Sequence, residues 1–178
     1  DYNAFANSEE IFEMVTTDCK SGQARYFAEK HNPERIIEIV KASSSLPFVT
    51  PIAYVDGEPM MDGGVSDSVP LLRARSQGFT DNVVVLTRNK GYRKQGKSYS
   101  PHILYRKYPA LREALARRND LYNRQIKEVE RLEAEGRIIV IRPERPIEVG
   151  RMERDTNKLL DLYNEGYECA AKVEFMVK

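Results

Sequence analysis

One short stretch decides the fold class, and it reads Val83-Val84-Val85-Leu86. The run is β-branched and unbroken, which is typical of a strand buried on both faces of a parallel sheet. A second run of this kind spans Ile138 to Ile141. Between them, apolar residues recur at helical spacing from about Pro109 to Glu135, and Gly136 is placed to end the helix. A strand, a long helix and a strand predict a crossover connection and an α/β layered domain.

Upstream of Val83 the sequence predicts a strand and then a helix. Apolar residues from Ile11 to Val15 lead into the polar Thr16-Thr17-Asp18, which indicates a strand that ends in a turn, and Gly22 lets the chain bend. Asn32 suits the cap of a helix that begins at Pro33, continues to Ala42 and stops at Ser43-Ser44-Ser45.

The next segments predict a hairpin and, much later, a terminal helix. Residues 52–55 and 58–61 flank Asp56-Gly57, a pair that favours a tight turn with positive φ. The last segment, from Glu153 to Val173, carries leucines at helical spacing, with Gly166 as an expected weak point. Only two fully buried strands are visible, too few to cover the faces and edges of a sheet, so the chain is expected to be half of a fold.

The composition indicates a folded protein without export signals. Of its 178 residues, 41% are hydrophobic and 31% charged, and no apolar run approaches the length of a membrane span. Two cysteines without metal or redox spacing fit a cytoplasmic location. The two histidines, His31 and His102, are expected on the surface, and neither a metal nor a cofactor is expected.

Positive charge is concentrated in one stretch. Residues 88–118 contain ten Lys or Arg residues against the single acid Glu113, interleaved with tyrosines. This pattern suits a solvated helix face, and it also suits the binding of nucleic acid or an anionic membrane.

The chemistry centres on Asp62-Gly63-Gly64, which lies at the exit of the predicted hairpin. Taken alone, the triplet is typical of a turn. The sequence on either side of the triplet indicates a second interpretation. An ordered set of segments resembles the second half of patatin-like phospholipases in order and spacing: Ala42 to Pro47, Pro51, Tyr54 to Gly57, Met61 to Val65, and Val69-Pro70. Thr16-Thr17-Asp18 with Gly22, and the run Val83 to Thr87, are similar to further segments of that family. The C-terminal stretch is similar to the tail of one bacterial branch of the family: Pro146 to Arg154, Leu159, Leu162-Tyr163 and Gly166-Tyr167.

The resemblance implies a fold and a site. The fold would be the C-terminal half of a three-layer α/β/α hydrolase domain over residues 1–142, followed by a helical extension over residues 143–178. Asp62 would be the general base of a Ser–Asp dyad that cleaves lipid or other ester bonds. Desolvation would have to raise the pKa of this aspartate. The site would be lined by Gly63, Gly64, Ser43, Ser44 and Pro47.

The nucleophile of that family is not found in this sequence. The family places its serine in a Gly-x-Ser-x-Gly elbow, and the nearest approach here, Gly64 to Ser68, lacks the closing glycine. We therefore expect the serine and the oxyanion hole to come from an upstream segment, and this chain alone to be inactive. The alternative is a non-catalytic module that binds nucleic acid or anionic membrane through residues 88–118, with nucleic acid the less favoured partner. An exposed sheet edge would also allow pairing with a second copy.

Overall fold

The computed structural model describes residues 1–96, 104–150 and 153–173. The chain forms two compact units, of which the first comprises Asp1–Pro70 with Lys94–Gln125, and the second Leu71–Arg93 with Ile126–Lys178. The helices are α1 (Tyr2–Asn7), α2 (Pro33–Ser43), α3 (Leu71–Ser76), α4 (Pro109–Ala134) and α5 (Thr156–Ala171). The strands are β1 (Glu13–Asp18), β2 (Ala24–Ala28), β3 (Ala53–Val55), β4 (Glu58–Asp62), β5 (Asn82–Val85) and β6 (Ile138–Ile141).

The first unit contains a four-stranded antiparallel sheet in the order β2-β1-β4-β3. The strand predicted to end at Asp18 is β1, and the bend predicted at Gly22 leads into β2. Gly22 has a φ of +70°, and a Cβ added there would lie 2.6 Å from the carbonyl oxygen of Ala110. A residue without a side chain is therefore needed where this turn meets the start of α4.

Helix α2 confirms the prediction from its caps. The Asn32 side chain accepts a hydrogen bond of 3.0 Å from the backbone N–H of Arg35, and Pro33 opens the helix. The helix ends at Ser43, as the serine run predicts. Its buried residues Ile39 and Ala42 join a core cluster with Met14, Phe27, Val55 and Met60 of the sheet.

The predicted hairpin is formed by β3 and β4. Val55 pairs with Glu58, and both turn residues have positive φ, +52° at Asp56 and +77° at Gly57. That combination matches the right-handed twist of the flanking strands. Neighbouring residues of β4 enter different clusters, since Met60 packs with α2 while Met61 packs with Cys19, Val65, Leu111 and Leu115. The sheet is therefore covered on both faces, as the alternation of side chains along a strand allows.

The second unit contains the two parallel strands that the sequence predicts. Strands β5 and β6 pair in parallel, from Asn82 with Ile138 to Val85 with Ile141, and α4 lies between them in the chain. The prediction that β5 is buried on both faces is wrong, because Val83 is 44% exposed and Val85 70% exposed. Within the run Val83–Leu86, Val84 and Leu86 are buried and lie on one face of this two-stranded sheet.

The terminal helix α5 starts at an Asp155 cap and continues through Gly166, so the expected weak point does not interrupt it.

The α/β class is confirmed, while a division into domains at residues 142 and 143 stays a prediction. Within the described ranges, no helix combines the length and hydrophobicity that a bilayer crossing requires.

The close approach at Gly22 gives a stability prediction with a matched control. Gly22→Ala and Gly57→Ala both place a side chain at positive φ, which costs about 1–2 kcal/mol. Only Gly22→Ala also meets backbone at 2.6 Å, whereas nothing lies within 4 Å of a Cβ at Gly57. We expect Gly22→Ala to lose at least about 1 kcal/mol more in urea unfolding than Gly57→Ala. Equal losses would contradict the packing of this turn against α4.

Burial also predicts the reactivity of one thiol. Cys19 is fully buried. Desolvation, with a smaller contribution from the charge of Asp18, raises the pKa of its thiol to about 12. Because the thiolate is the reactive form, iodoacetamide at pH 8 should leave Cys19 unmodified in the native protein and modify it in denaturant. Mass spectrometry of the Cys19 peptide measures this, and rapid native labelling would show that the site opens.

Candidate active site

Asp62 is the last residue of β4, where its backbone is held on both sides. Its N–H donates to the carbonyl oxygen of Ser45 at 3.1 Å, and its carbonyl oxygen accepts from the Thr17 hydroxyl at 2.8 Å. The strand pairing also places Asp62 opposite Thr16 of β1. With both backbone groups engaged, the side chain is the part of Asp62 that remains available for chemistry.

The half-buried Asp62 side chain folds back over the turn that follows it. Its Oδ1 accepts a hydrogen bond of 2.7 Å from the N–H of Gly64 and thereby caps the 3-10 turn Gly63–Val65. Oδ2 accepts no hydrogen bond from any residue in the described part of the chain. A carboxylate held by one oxygen can still accept a proton at the other.

Glycine suits positions 63 and 64 for two different structural reasons. A Cβ at Gly63 would lie 2.3 Å from the carbonyl oxygen of Val15 in β1, so only glycine allows the turn to pack on that strand. A Cβ at Gly64 would lie 3.0 Å from Asp62 Oδ1 and 3.5 Å from a terminal nitrogen of Arg118. The Asp-Gly-Gly order therefore suits both the cap and the close contact with β1.

The serine loop, residues 43–47, contacts Asp62 through the backbone of Ser45. Ser45 is buried, its carbonyl oxygen binds the Asp62 N–H, and its hydroxyl donates to the Lys41 carbonyl oxygen at 2.7 Å. Of the predicted lining residues, Ser43 is half-buried at the end of α2, Ser44 is exposed and Pro47 is buried. Neither the Ser43 nor the Ser44 hydroxyl makes a hydrogen bond with Asp62 in the described part of the chain.

Several residues that sequence analysis did not single out brace this turn. The carbonyl oxygen of Gly64 accepts two hydrogen bonds, from Ser68 Oγ at 2.7 Å and from Arg118 Nε at 2.8 Å. Ser66 shares a hydrogen bond of 2.8 Å with the Thr17 hydroxyl. Ser68 could have been suggested by its proximity in sequence, but no local signal marks Arg118, which lies on α4.

Asp67 anchors the segment that follows the turn. Its carboxylate accepts hydrogen bonds from the Tyr26 hydroxyl, at 2.6 Å, and from the side-chain amide of Gln125. The other end of that amide accepts from the N–H groups of Ser68 and Val69, at 3.2 and 3.3 Å. One glutamine of α4 therefore holds residues 67–69 in place, and Asp67 has a structural role.

Much of the basic stretch has partners inside the protein. Arg93 pairs with Glu130, and Lys90 lies 3.8 Å from Glu133. Arg88 lies over the ring of Tyr92, and Lys94 over that of Tyr122 at 4.0 Å. These contacts favour a structural role for residues 88–94.

The histidines and the acidic residues do not form a metal site in the part of the chain that the structure describes. No group of three or more His, Cys, Asp or Glu residues there could hold a metal ion. His31 is exposed, as the sequence predicts, and His102 lies outside the described residues.

Comparison with known families divides the sequence into two matched segments. Residues 8–75 match the patatin-like phospholipase family, and residues 108–173 match a domain of unknown function (DUF6363). No curated protein matches the chain. The first match contains β1, α2, the serine loop and Asp62, and the second contains Arg118 and Gln125. Residues 8–75, the segment that contains Asp62, are therefore similar to the patatin-like phospholipase family, in agreement with the resemblance found in the sequence.

Proposed function

We propose that this chain supplies the general base of a lipid acyl hydrolase that cleaves carboxylic esters with a Ser–Asp dyad. Asp62 is the base, and the nucleophilic serine comes from a segment outside this sequence. The observation that carries the proposal is the state of the Asp62 carboxylate, which is held at Oδ1 by the Gly64 N–H and has Oδ2 without a described donor.

The chemistry needs one proton acceptor. The serine hydroxyl attacks the ester carbonyl carbon while its proton moves to Asp62, and a tetrahedral intermediate forms. The protonated carboxyl then gives that proton to the leaving alkoxide, which departs as an alcohol. Water, activated by the same carboxylate, hydrolyses the acyl-serine and regenerates both groups. A positioned base of this kind contributes about 10²–10⁴-fold to the rate.

The turn around Asp62 supports this role because it limits the movement of the carboxylate. Gly64 is bound through its N–H by Asp62 and through its carbonyl oxygen by Ser68 and Arg118. A base that is already oriented loses less entropy when the reaction begins. The bond from Arg118 also means that α4 supports the turn directly, although it lies outside the patatin-like match.

The serines near Asp62 are poor candidates for the nucleophile. Ser66 is engaged with the Thr17 hydroxyl, and Ser68 donates to the Gly64 carbonyl oxygen. Ser44 is exposed and has no glycine beside it, so it lacks the sharp turn that presents a nucleophile. An external serine remains the better source.

The first prediction concerns the base. In the product of the complete reading frame that encodes this chain, Asp62→Asn should lower kcat for a short-chain p-nitrophenyl ester about 10²–10⁴-fold, because an amide cannot accept the proton. Asp56→Asn is the matched control, since it makes the same change in the same hairpin, at a turn that asparagine tolerates, and removes the charge of an ion pair with Arg35 in place of that of the candidate base. Its kcat should stay near that of the wild type.

Two results would count against the proposal. Undiminished turnover in Asp62→Asn would remove this aspartate from the mechanism. An equal loss in Asp56→Asn would show that the hairpin, and not the carboxylate, was disturbed.

The second prediction concerns the serines. Ser44→Ala and Ser66→Ala should each change kcat less than about tenfold, because neither hydroxyl attacks the ester. A fluorophosphonate probe should label the same complete protein at a serine outside residues 1–178. Labelling at Ser44, with loss of activity in Ser44→Ala, would place the nucleophile in this chain and overturn the assignment.

A further inference from the structure

The first unit carries a group of exposed apolar side chains on two loops that meet. Phe48 is 48% exposed and Val49 73% exposed, both in the loop that follows the serine run. Leu104, at 45% exposed, adjoins Tyr105 in the segment before α4. We call Phe48, Val49 and Leu104 the apolar tip.

The two loops hold each other through an unusual pair of aromatic residues. Phe48 and Tyr105 both have positive φ, +68° and +58°, a region that side chains other than glycine rarely adopt. Their ring centroids lie 5.7 Å apart, and the Phe48 N–H donates to the Tyr105 hydroxyl at 2.9 Å. Strained backbone of this kind persists where surrounding contacts maintain it, and it occurs often at binding sites.

The base of the apolar tip is anchored in the core. Tyr105 packs against the buried cluster that contains Met61 and Val65, the residues on either side of Asp62-Gly63-Gly64. Phe48 also lies three residues after Ser45, whose carbonyl oxygen accepts a hydrogen bond from the Asp62 N–H. The apolar tip is therefore fixed to the elements that hold the candidate base.

The two loops that carry the apolar tip contain positive charge and no acidic residue. Arg106 and Lys107 directly follow Tyr105, both are exposed, and neither forms an ion pair with another residue of the described ranges. No Asp or Glu occurs in residues 43–55 or 104–112. In contrast, Arg93 and Arg117 pair with glutamates. Arg106 and Lys107 therefore present their positive charge at the surface, whereas the cations of residues 88–94 contact glutamates and tyrosine rings of the protein itself.

We propose that the apolar tip, with Arg106 and Lys107, binds the surface of anionic phospholipid bilayers. Apolar side chains that project from two loops can enter the boundary between headgroups and acyl chains, while flanking cations attract lipid phosphates. A protein partner that matched this charge would have to place acids around an apolar pocket, whereas an anionic bilayer offers both features at once. Only the link from this surface to a lipid substrate rests on the proposed function.

Vesicle binding tests the inference with this chain alone. Sucrose-loaded vesicles of phosphatidylglycerol and phosphatidylcholine in equal parts should sediment the chain, and vesicles of pure phosphatidylcholine should sediment much less. Raising the salt should weaken binding, because screening reduces the attraction to headgroups.

Three variants separate the contributions. Phe48→Ser with Val49→Ser should reduce partition to anionic vesicles about tenfold or more, as should Arg106→Gln with Lys107→Gln. Leu159→Ser with Leu160→Ser is the matched control, since it removes two apolar residues of similar exposure on α5 and should bind like the wild type. Circular dichroism and thermal unfolding establish that each variant is folded.

The outcomes are decisive in both directions. No sedimentation with anionic vesicles, or full binding by folded Phe48→Ser/Val49→Ser, would overturn the inference. Loss in the α5 control to the same degree would show unspecific hydrophobic adsorption and would also overturn it. Light scattering that shows dimers of the wild type but monomers of the Phe48→Ser/Val49→Ser variant would assign the apolar tip to a second copy instead.

The test is also independent of catalysis. Asp62→Asn should bind vesicles like the wild type, because the aspartate is not part of the apolar tip. If binding holds and the ester assay fails, the proposed function falls and the lipid surface stands. If the ester assay succeeds and vesicle binding fails, the lipid-binding surface is rejected and the proposed function is retained.

Discussion

The contact between Gly63 and the backbone of Val15 is the constraint on which the candidate site depends. A side chain at residue 63 would meet the Val15 carbonyl oxygen at 2.3 Å, so the turn after β4 can lie on β1 only because this residue is glycine. That position lets Asp62 cap Gly64 while its backbone binds Ser45 and Thr17. The backbone of Asp62 is thus held by Ser45 and by β1, and its carboxylate is held by the turn that follows.

The segments matched by two families cooperate within the first unit. Asp62, Gly63 and Gly64 lie in the patatin-like match, while Arg118 and Gln125 of α4 lie in the second match. Arg118 binds the Gly64 carbonyl oxygen, and Gln125 binds the chain at residues 67–69. Removing one partner of such a buried or half-buried hydrogen bond leaves the other partner unsatisfied, which lowers the free energy of unfolding. We infer that this part of α4 is a support for the turn.

Charge is distributed in a way that composition alone does not convey. The basic stretch that begins at Arg88 reads as one continuous cationic region in the sequence. In the structure, the cations of residues 88–94 form ion pairs with glutamates of α4 and cation–π contacts with two tyrosine rings, whereas Arg106 and Lys107 are exposed. A count of Lys and Arg therefore overstates the charge that a membrane or a nucleic acid could meet.

The sequence by itself determined the elements whose signals are local. Asn32 and Pro33 mark the start of α2, Asp56-Gly57 the hairpin turn, and the two β-branched runs the parallel strands on either side of α4. Caps, turns and periodicity depend on residues a few positions apart. Only the tertiary structure decided the exposure of Val83 and Val85, the strained contact of Phe48 with Tyr105, and the support of Gly64 by Arg118. Each of these depends on what lies beside a residue after folding, and the partners are too distant in sequence for a local pattern to reveal them.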